Sequence, residues 1–254
     1  MTQRVIVTGG ATGIGRAISQ RFVRDGASVI LVGRRAEVLE KTATDLRAMS
    51  GAEVRTASAD LRSPEAVAGL VYDISGAGRV DALVLNAGGN FGKDADAADP
   101  AQQLTQVADA YRADFDGNVL PTVLLGEALL PHMTRPGGRV VAIGSVAGLR
   151  GSGSYGVAKA AVHAWVWDAS MRVAAEGVTV NAVAPGYVPD TEFWTERLQQ
   201  DPGLEANRLA RIPLGRAGTP QEIAEAVAYF TSGGAGWTTG QILQVNGGTL
   251  LGHG

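Results

Sequence analysis

Tyr155 and Lys159 stand four residues apart in the run Gly153-Ser154-Tyr155-Gly156-Val157-Ala158-Lys159-Ala160-Ala161. Residues at that spacing on a helix share one face, one turn from each other. A free phenol titrates near ~10 and is a poor acid at neutral pH. A fixed ammonium beside it favours the phenolate and draws that value toward the working range. Such a pair is a ready proton donor or acceptor. The rival reading is an ordinary helix-surface contact, since Tyr and Lys meet at this spacing by chance. Lys159 is one of three lysines in a chain with nineteen arginines.

Something must hold that helix against a reacting partner, and the hydrophobic pattern says what. Short β-branched runs alternate with longer helical stretches. Strands are expected at 4–8, 28–32, 53–58, 81–85, 138–143, 178–183 and 241–245. Helices are expected at 14–25, 36–49, from Ser63-Pro64-Glu65 onward, near 101–131, at 154–176 and at 220–231. Ser63 suits an N-cap and Pro64 the first helical position. Strand–helix alternation of this kind implies a parallel sheet covered on both faces. No linker, repeat or low-complexity tract divides the chain. The fold class expected is α/β: a single doubly wound Rossmann domain over 1–254, with a seven-stranded parallel sheet.

Bulk composition removes several function classes. At 254 residues the chain can bury a substantial core. A net charge of -3 and a pI near 5.7 give no footprint for nucleic acid or an anionic membrane. With no cysteine there is no disulfide, thiolate zinc site or iron–sulfur cluster. His132 and His163 sit on helical stretches without ligand partners and read as structural, while His253 lies in the tail; no metal is expected. The first strand-like run begins close to Met1, and no apolar run approaches bilayer length, so a cytoplasmic enzyme is the expectation.

The first strand runs into Thr8-Gly9-Gly10-Ala11-Thr12-Gly13-Ile14-Gly15 and then a helix. Glycines let the backbone turn tightly against a diphosphate, and the helix N-terminus offers free N–H donors. The second strand ends at Val32-Gly33-Arg34-Arg35. An NAD-selective fold usually carries an acid here for the ribose 2′-hydroxyl, whereas two arginines suit a 2′-phosphate. NADP(H) is therefore the expected cofactor; a solvated basic turn is the bland alternative. Asp60 and Leu61, just after the third strand, are placed to meet the adenine ring. Asp60 equally suits a helix-entry turn.

Together these motifs resemble the short-chain dehydrogenase/reductase family. Thr8-Gly9-x3-Gly13-x-Gly15, Asn86-Ala87-Gly88, Asn118, Ser145, Tyr155-x3-Lys159 and Pro185-Gly186 occur in that family's order, from Val5 to Gly248. The ending Gly240-Gln241-Ile242-Leu243-Gln244-Val245-Asn246-Gly247-Gly248 is similar to 3-oxoacyl-carrier-protein reductases and polyketide ketoreductases. The resemblance implies that Tyr155 protonates a carbonyl oxygen as hydride arrives from the nicotinamide. Lys159 would hold the ribose hydroxyls and depress the Tyr155 pKa. Ser145 would orient the substrate oxygen, and Asn118 would hold a water that resupplies protons through Lys159. Asn86, Ala87 and Gly88 would line the cofactor site. Pro185, Gly186, Val188 and Thr191 would meet the nicotinamide end. A homotetramer is also implied.

The chain departs from the family pattern on two sides of this site. Ser145 precedes Tyr155 by only ten residues, so the loop between them is short and Ser152 and Ser154 compete for the serine role. The stretch from Asn86 to Asn118 is longer than usual and carries a polar insertion beginning Asn90-Phe91-Gly92-Lys93. Asn90, Phe91, Val146, Tyr187, Phe193 and Trp194 are the expected substrate-pocket residues, the last three in a substrate loop at about 187–215. Aromatics there point to a flat or polycyclic ketone; packing under the loop explains them equally well. The leading expectation is an NADPH-dependent ketoreductase acting on a small-molecule ketone or acyl thioester in polyketide biosynthesis, aromatic polyketides included. The alternatives are a 3-oxoacyl-carrier-protein reductase, an NAD-dependent alcohol or sugar dehydrogenase, and a non-enzymatic cofactor-binding regulatory protein.

Overall fold

In the computed structural model, which describes residues 2–76 and 78–252, strands and helices alternate along the chain. His253 lies outside the described residues. The first half comprises β1 (Arg4–Thr8), α1 (Gly13–Arg24), β2 (Ser28–Gly33), α2 (Ala36–Ser50), β3 (Val54–Ser58), α3 (Pro64–Ser75), β4 (Ala82–Leu85) and α4 (Pro100–Asp114). The second comprises α5 (Leu120–Leu129), β5 (Arg139–Ile143), α6 (Ala147–Arg150), α7 (Gly153–Val173), β6 (Thr179–Pro185), α8 (Glu192–Gln200), α9 (Leu204–Leu209), α10 (Pro220–Thr231) and β7 (Ile242–Val245).

All seven strands are parallel, in the order β3-β2-β1-β4-β5-β6-β7. The central strands are buried on both faces and read as near-continuous apolar runs, whereas the edge strands β3 and β7 are partly exposed. Alternate residues serve opposite cores: Val5, Val7, Val29 and Leu31 pack on one side with Phe22, Val227 and Phe230. Ile6, Ile30, Val32 and Leu83 pack on the other with Leu125, Val162 and Val166. Burying a Val, Leu, Ile or Phe side chain stabilises by about 1.5–3 kcal/mol, so a one-residue register slip would forfeit many such terms.

The chain order reverses between β1 and β4, neighbours in the sheet but far apart in sequence. Crossovers run outward from that point in both directions, leaving a crevice beyond the strands' carboxyl ends. The glycine-rich turn leaves β1 there, and Asn86 leaves β4. Helix ends follow sequence chemistry. The Ser63 hydroxyl accepts from Ala66 N at 3.2 Å, as its N-cap role requires. Thr219 and Glu222 close a reciprocal capping box on α10.

Two regions differ from expectation. The helix expected near 101–131 is interrupted by a π-helical segment, Phe115–Val119, between α4 and α5. The extra residue in that turn rotates Asn118 into the interior, where it is fully buried. The segment at 187–215 is not an open loop: it contains α8 and α9, packed through Tyr187, Trp194 and Ile212.

Candidate active site

A cavity of about 1110 Å³ joins the glycine-rich turn to Tyr155 and Lys159. Its floor is the carboxyl edge of the sheet, and its roof is the segment carrying α8 and α9. Thr8 is buried, and its hydroxyl accepts from Asn86 N at 2.8 Å and Ala87 N at 2.9 Å. The Asn86 amide donates to the carbonyls of Thr8 and Gly9 at 2.9 and 3.3 Å. Thr8 thus ties β1 to β4 beneath the turn; it does not face the cavity, as its expected cofactor contact would require. Gly9 adopts φ +62°, a region costly for any residue with a Cβ. Gly9, Thr12, Gly13 and Ile14 line the cavity while Gly15 lies behind them.

Lys159 is buried, and its ammonium donates to the Ile143 carbonyl at 2.9 Å, 5.9 Å from the centre of the Tyr155 ring. Burial lowers its pKa to about 8, opposed by the charge of Asp114. The Tyr155 phenol, half-buried at the cavity floor, is pushed up to about 12 by desolvation; hydrogen bonding from Ser145 opposes that rise. The shift runs opposite to the expected depression by Lys159. Loss of water, helped by the charge of Asp114, outweighs the Ser145 hydrogen bond and the charge of Arg197, and the phenol is held as a protonated acid.

Ser145 lies two residues past the end of β5, beside Tyr155. Its hydroxyl accepts from Ala147 N at 3.1 Å, and its backbone N–H donates to His163 Nε2 at 3.4 Å. Burial and the Lys159 charge push the His163 pKa down to about 4, so it stays neutral and able to accept that bond. The structural reading of His163 therefore gains a specific content, positioning the strand end that carries Ser145. The short loop after Ser145 is compacted into α6, and Val146 lines the cavity. Ser152 and Ser154 also line the cavity, but the Ser154 hydroxyl is engaged, donating to Asp114 Oδ2 at 2.6 Å, and Ser152 is exposed at the entry to α7.

Asn118 clamps one residue, Gly89. Its amide nitrogen donates to Gly89 O at 2.8 Å and Asp114 O at 2.9 Å, and its oxygen accepts from Gly89 N at 3.1 Å. Both side-chain donors are engaged with backbone, one holding the loop after β4 and the other the preceding turn of its own helix. Gly88 packs against Asn118 and Lys159 so closely that a Cβ would approach Asn118 Oδ1 to 2.6 Å and Lys159 Nζ to 3.2 Å. Asp114, which sequence reasoning missed, completes the floor. Fully buried, it accepts from Phe91 N at 2.8 Å as well as from Ser154. The available signal was a carboxylate one turn before Asn118, on the same helical face.

Several expected contacts lie away from the cavity. Leu61 belongs to the core under the sheet. Asp60 pairs with Arg62 at 2.6 Å, which holds its carboxyl down at about 2. Arg34 and Arg35 are exposed at the end of β2, and Arg35 pairs with Glu192 of α8 at 2.9 Å. The Phe91 ring, expected in the substrate pocket, turns out of the cavity and seats over Gly117, where the lack of a side chain leaves room for it. Asn90, Val188, Thr191, Pro185 and Gly186 do line the cavity.

The roof is aromatic and basic. Phe193 lies 5.4 Å from Tyr155 and 5.1 Å from Trp194, and Trp194 stands edge-on to Tyr187 at 4.9 Å. Sequence reasoning placed these rings and missed the arginines between them. No group of metal-ligating side chains occurs among the described residues, and none of their helices is long and apolar enough to cross a membrane.

A parallel sheet with a glycine-rich turn at its switch point, facing a Tyr–Lys pair across a cleft, defines a dinucleotide-type oxidoreductase scaffold. Comparison with known proteins agrees: a family model described as enoyl-(acyl carrier protein) reductase matches residues 9–249. The chain is 36% identical to cis-4-hydroxycyclohexanecarboxylate dehydrogenase of Sinomonas cyclohexanicum, covering 96% of this chain and 94% of that one. It is 34% identical to the 3-oxoacyl-[acyl-carrier-protein] reductase FabG of Vibrio harveyi, over 97% and 96%. Among solved structures, a single-substitution variant of the actinorhodin polyketide ketoreductase with NADPH superposes with a TM-score of 0.85 at 29% identity, covering 98% of this chain and 97% of that one. The chain belongs to the short-chain dehydrogenase/reductase family, whose members are oxidoreductases acting on alcohol and ketone groups.

Proposed function

We propose that this protein is an NADPH-dependent ketoreductase acting in the cytoplasm on a small-molecule ketone or acyl thioester. The observation that carries this reading is the continuity of the cavity from the glycine-rich turn to Tyr155. A dinucleotide laid along it would rest its diphosphate on the N-terminus of α1. Bound NADPH would supply a hydride to the carbonyl carbon. Tyr155, held protonated, gives its proton to the carbonyl oxygen, so the ketone becomes a secondary alcohol. Lys159 remains anchored to Ile143 O and presents its charge beside the ring. Ser145 hydrogen-bonds the same substrate oxygen. Asn118 and Asp114 act as positioning residues, and the segment 187–215 closes the substrate end.

The preference for NADPH rests on Arg34 and Arg35 and on the absence of an acid at the end of β2. The NADPH-bound structural neighbour is consistent with it. The rings of Tyr187, Phe193 and Trp194 support a flat substrate, and likeness to a polyketide ketoreductase supports a polyketide. Fatty-acid synthesis is the second reading, favoured by likeness to FabG. A homotetramer fits Leu104 and Tyr111 on α4 and Trp167 and Met171 on α7, apolar side chains left exposed.

Titration of the enzyme with each cofactor tests this reading. NADPH is expected to bind about 10- to 100-fold more tightly than NADH, the worth of one or two charge-assisted hydrogen bonds to the 2′-phosphate. Equal affinities would remove the role given to Arg34 and Arg35.

A further inference from the structure

Four arginines converge on the substrate end of the cavity: Arg150 of α6, Arg197 of α8, Arg208 of α9, and Arg211 just beyond α9. The described cavity wall carries six cationic side chains, these four with Lys93 and Lys159, against the carboxylates of Asp94 and Glu192. Glu192 is already paired with Arg35. This excess sits in a chain whose net charge is -3. Among the described residues none of the four arginines forms an ion pair.

Their neighbours are aromatic. The Arg197 guanidinium lies 5.1 Å from the Phe193 ring and 5.7 Å from Trp194, and Arg208 lies 5.2 Å from Trp194. The rings orient the guanidinium planes without neutralising them. Burial and repulsion from Arg150, Arg197 and Arg211 together lower the Arg208 pKa, a sign that the four charges crowd one another. Asn90 turns its amide toward Arg197. Tyr187 is buried with a hydroxyl that lacks a hydrogen-bond partner among the described residues, and it lies within the electrostatic reach of Glu205, Arg208 and Asp190. Like charges and an unsatisfied hydroxyl gathered at one cavity end are unfavourable until an oxyanion joins them.

We propose that this cluster is an oxyanion-binding subsite, and that the substrate is a carbonyl compound carrying a carboxylate, sulfonate or phosphate group a short distance from the reducible C=O. Arg197 and Arg208 grip the anion, while Arg150 and Arg211 supply the surrounding field. The Phe193 ring centre lies 5.4 Å from that of Tyr155 and 5.1 Å from the Arg197 guanidinium, so the proton donor and the anion site are neighbours of the same aromatic ring. That geometry selects a short keto acid or its sulfonate or phosphate counterpart over a neutral ketone of the same length. The inference rests on the reductase reading and adds the charge of its substrate.

Calorimetric titration of the NADP+-loaded enzyme separates the two claims. The probes are levulinate, its homologues longer by one and two methylenes, the matching sulfonates and phosphates, and the neutral amides. At least one anion is expected to bind about 10- to 100-fold more tightly than its amide, and Arg208→Gln is expected to erase most of that ratio. Arg208→Lys should restore part of it, since charge survives while the bidentate fork is lost. The order among carboxylate, sulfonate and phosphate identifies the group. Equal binding of anion and amide, or an unchanged ratio in Arg208→Gln, overturns the subsite. So does an Arg208→Gln effect confined to NADP+ affinity, which would assign the cluster to the cofactor's phosphates, and so does recognition of carrier-protein thioesters with none of the free anions. Anion binding with no NADPH oxidation by any ketone would instead refute the reductase reading and leave the subsite standing.

Discussion

On the floor of the cleft, the polar atoms of Lys159, Asn118 and Asp114 are joined to backbone or hydroxyl neighbours at 2.6–3.1 Å, deep among apolar side chains. On the roof, Arg197 and Arg208 lie against aromatic faces and form no ion pair among the described residues. The floor is pre-organised: its groups need not reorient when a substrate arrives, which is the condition for electrostatic stabilisation of a reacting centre. The roof carries uncompensated charge that an incoming ligand must complete. On the proposed function, the difference means that one cleft separates its tasks, with reactivity fixed below and selectivity built above.

The separation makes unequal demands on substitution. A floor variant should slow every substrate alike, whereas a roof variant should change the ranking of substrates. Asp114→Ala strands the Phe91 N–H and the Ser154 hydroxyl and loosens the two segments that flank Tyr155. Turnover is expected to fall about 100-fold, the order of loss for a misplaced reacting group, with similar ratios for anionic and neutral ketones and little change in NADPH affinity. Steady-state kinetics with matched substrates checks this. A loss confined to one substrate class would place Asp114 on the selective side of the comparison.

How far the sequence could be read follows the same division. The sheet was legible because strand segments buried on both faces must be apolar, as in Val5-Ile6-Val7 and Ala82–Leu85. The Tyr155–Lys159 pair was legible because a four-residue helical spacing is a local property. Asn118 could be located but not its contacts, since the π-helical turn that rotates it depends on packing against Gly89 and Asp114. The arginine cluster was illegible. Arg150, Arg197, Arg208 and Arg211 come from α6, α8, α9 and the residues beyond α9, and nothing in their spacing says that they meet. Phe91 was misplaced for a related reason: only a long-range contact with Gly117 decides which way its ring turns.

A smaller effect should appear with pH. The Lys159 pKa is lowered to about 8, so its charge is present below that value and lost as pH rises through it. The Tyr155 phenol stays protonated well beyond this point. Reduction is therefore expected to hold level through neutrality and to decline above about pH 8, by about tenfold per unit when one group must carry its proton. Asp114 raises the Lys159 value against burial, so Asp114→Asn should move the decline to lower pH. A kcat profile at saturating NADPH reads both. A decline centred near 10, unmoved by Asp114→Asn, would detach Lys159 from the chemistry.

The most direct measurement compares cofactor binding and single-turnover NADPH oxidation in the wild-type protein and in Tyr155→Phe, with one ketone substrate. Removing only the hydroxyl should leave NADPH affinity within about twofold while oxidation falls about 1,000-fold, as expected for loss of a positioned general acid. Oxidation at an undiminished rate in Tyr155→Phe would contradict the assignment of Tyr155 as the proton donor.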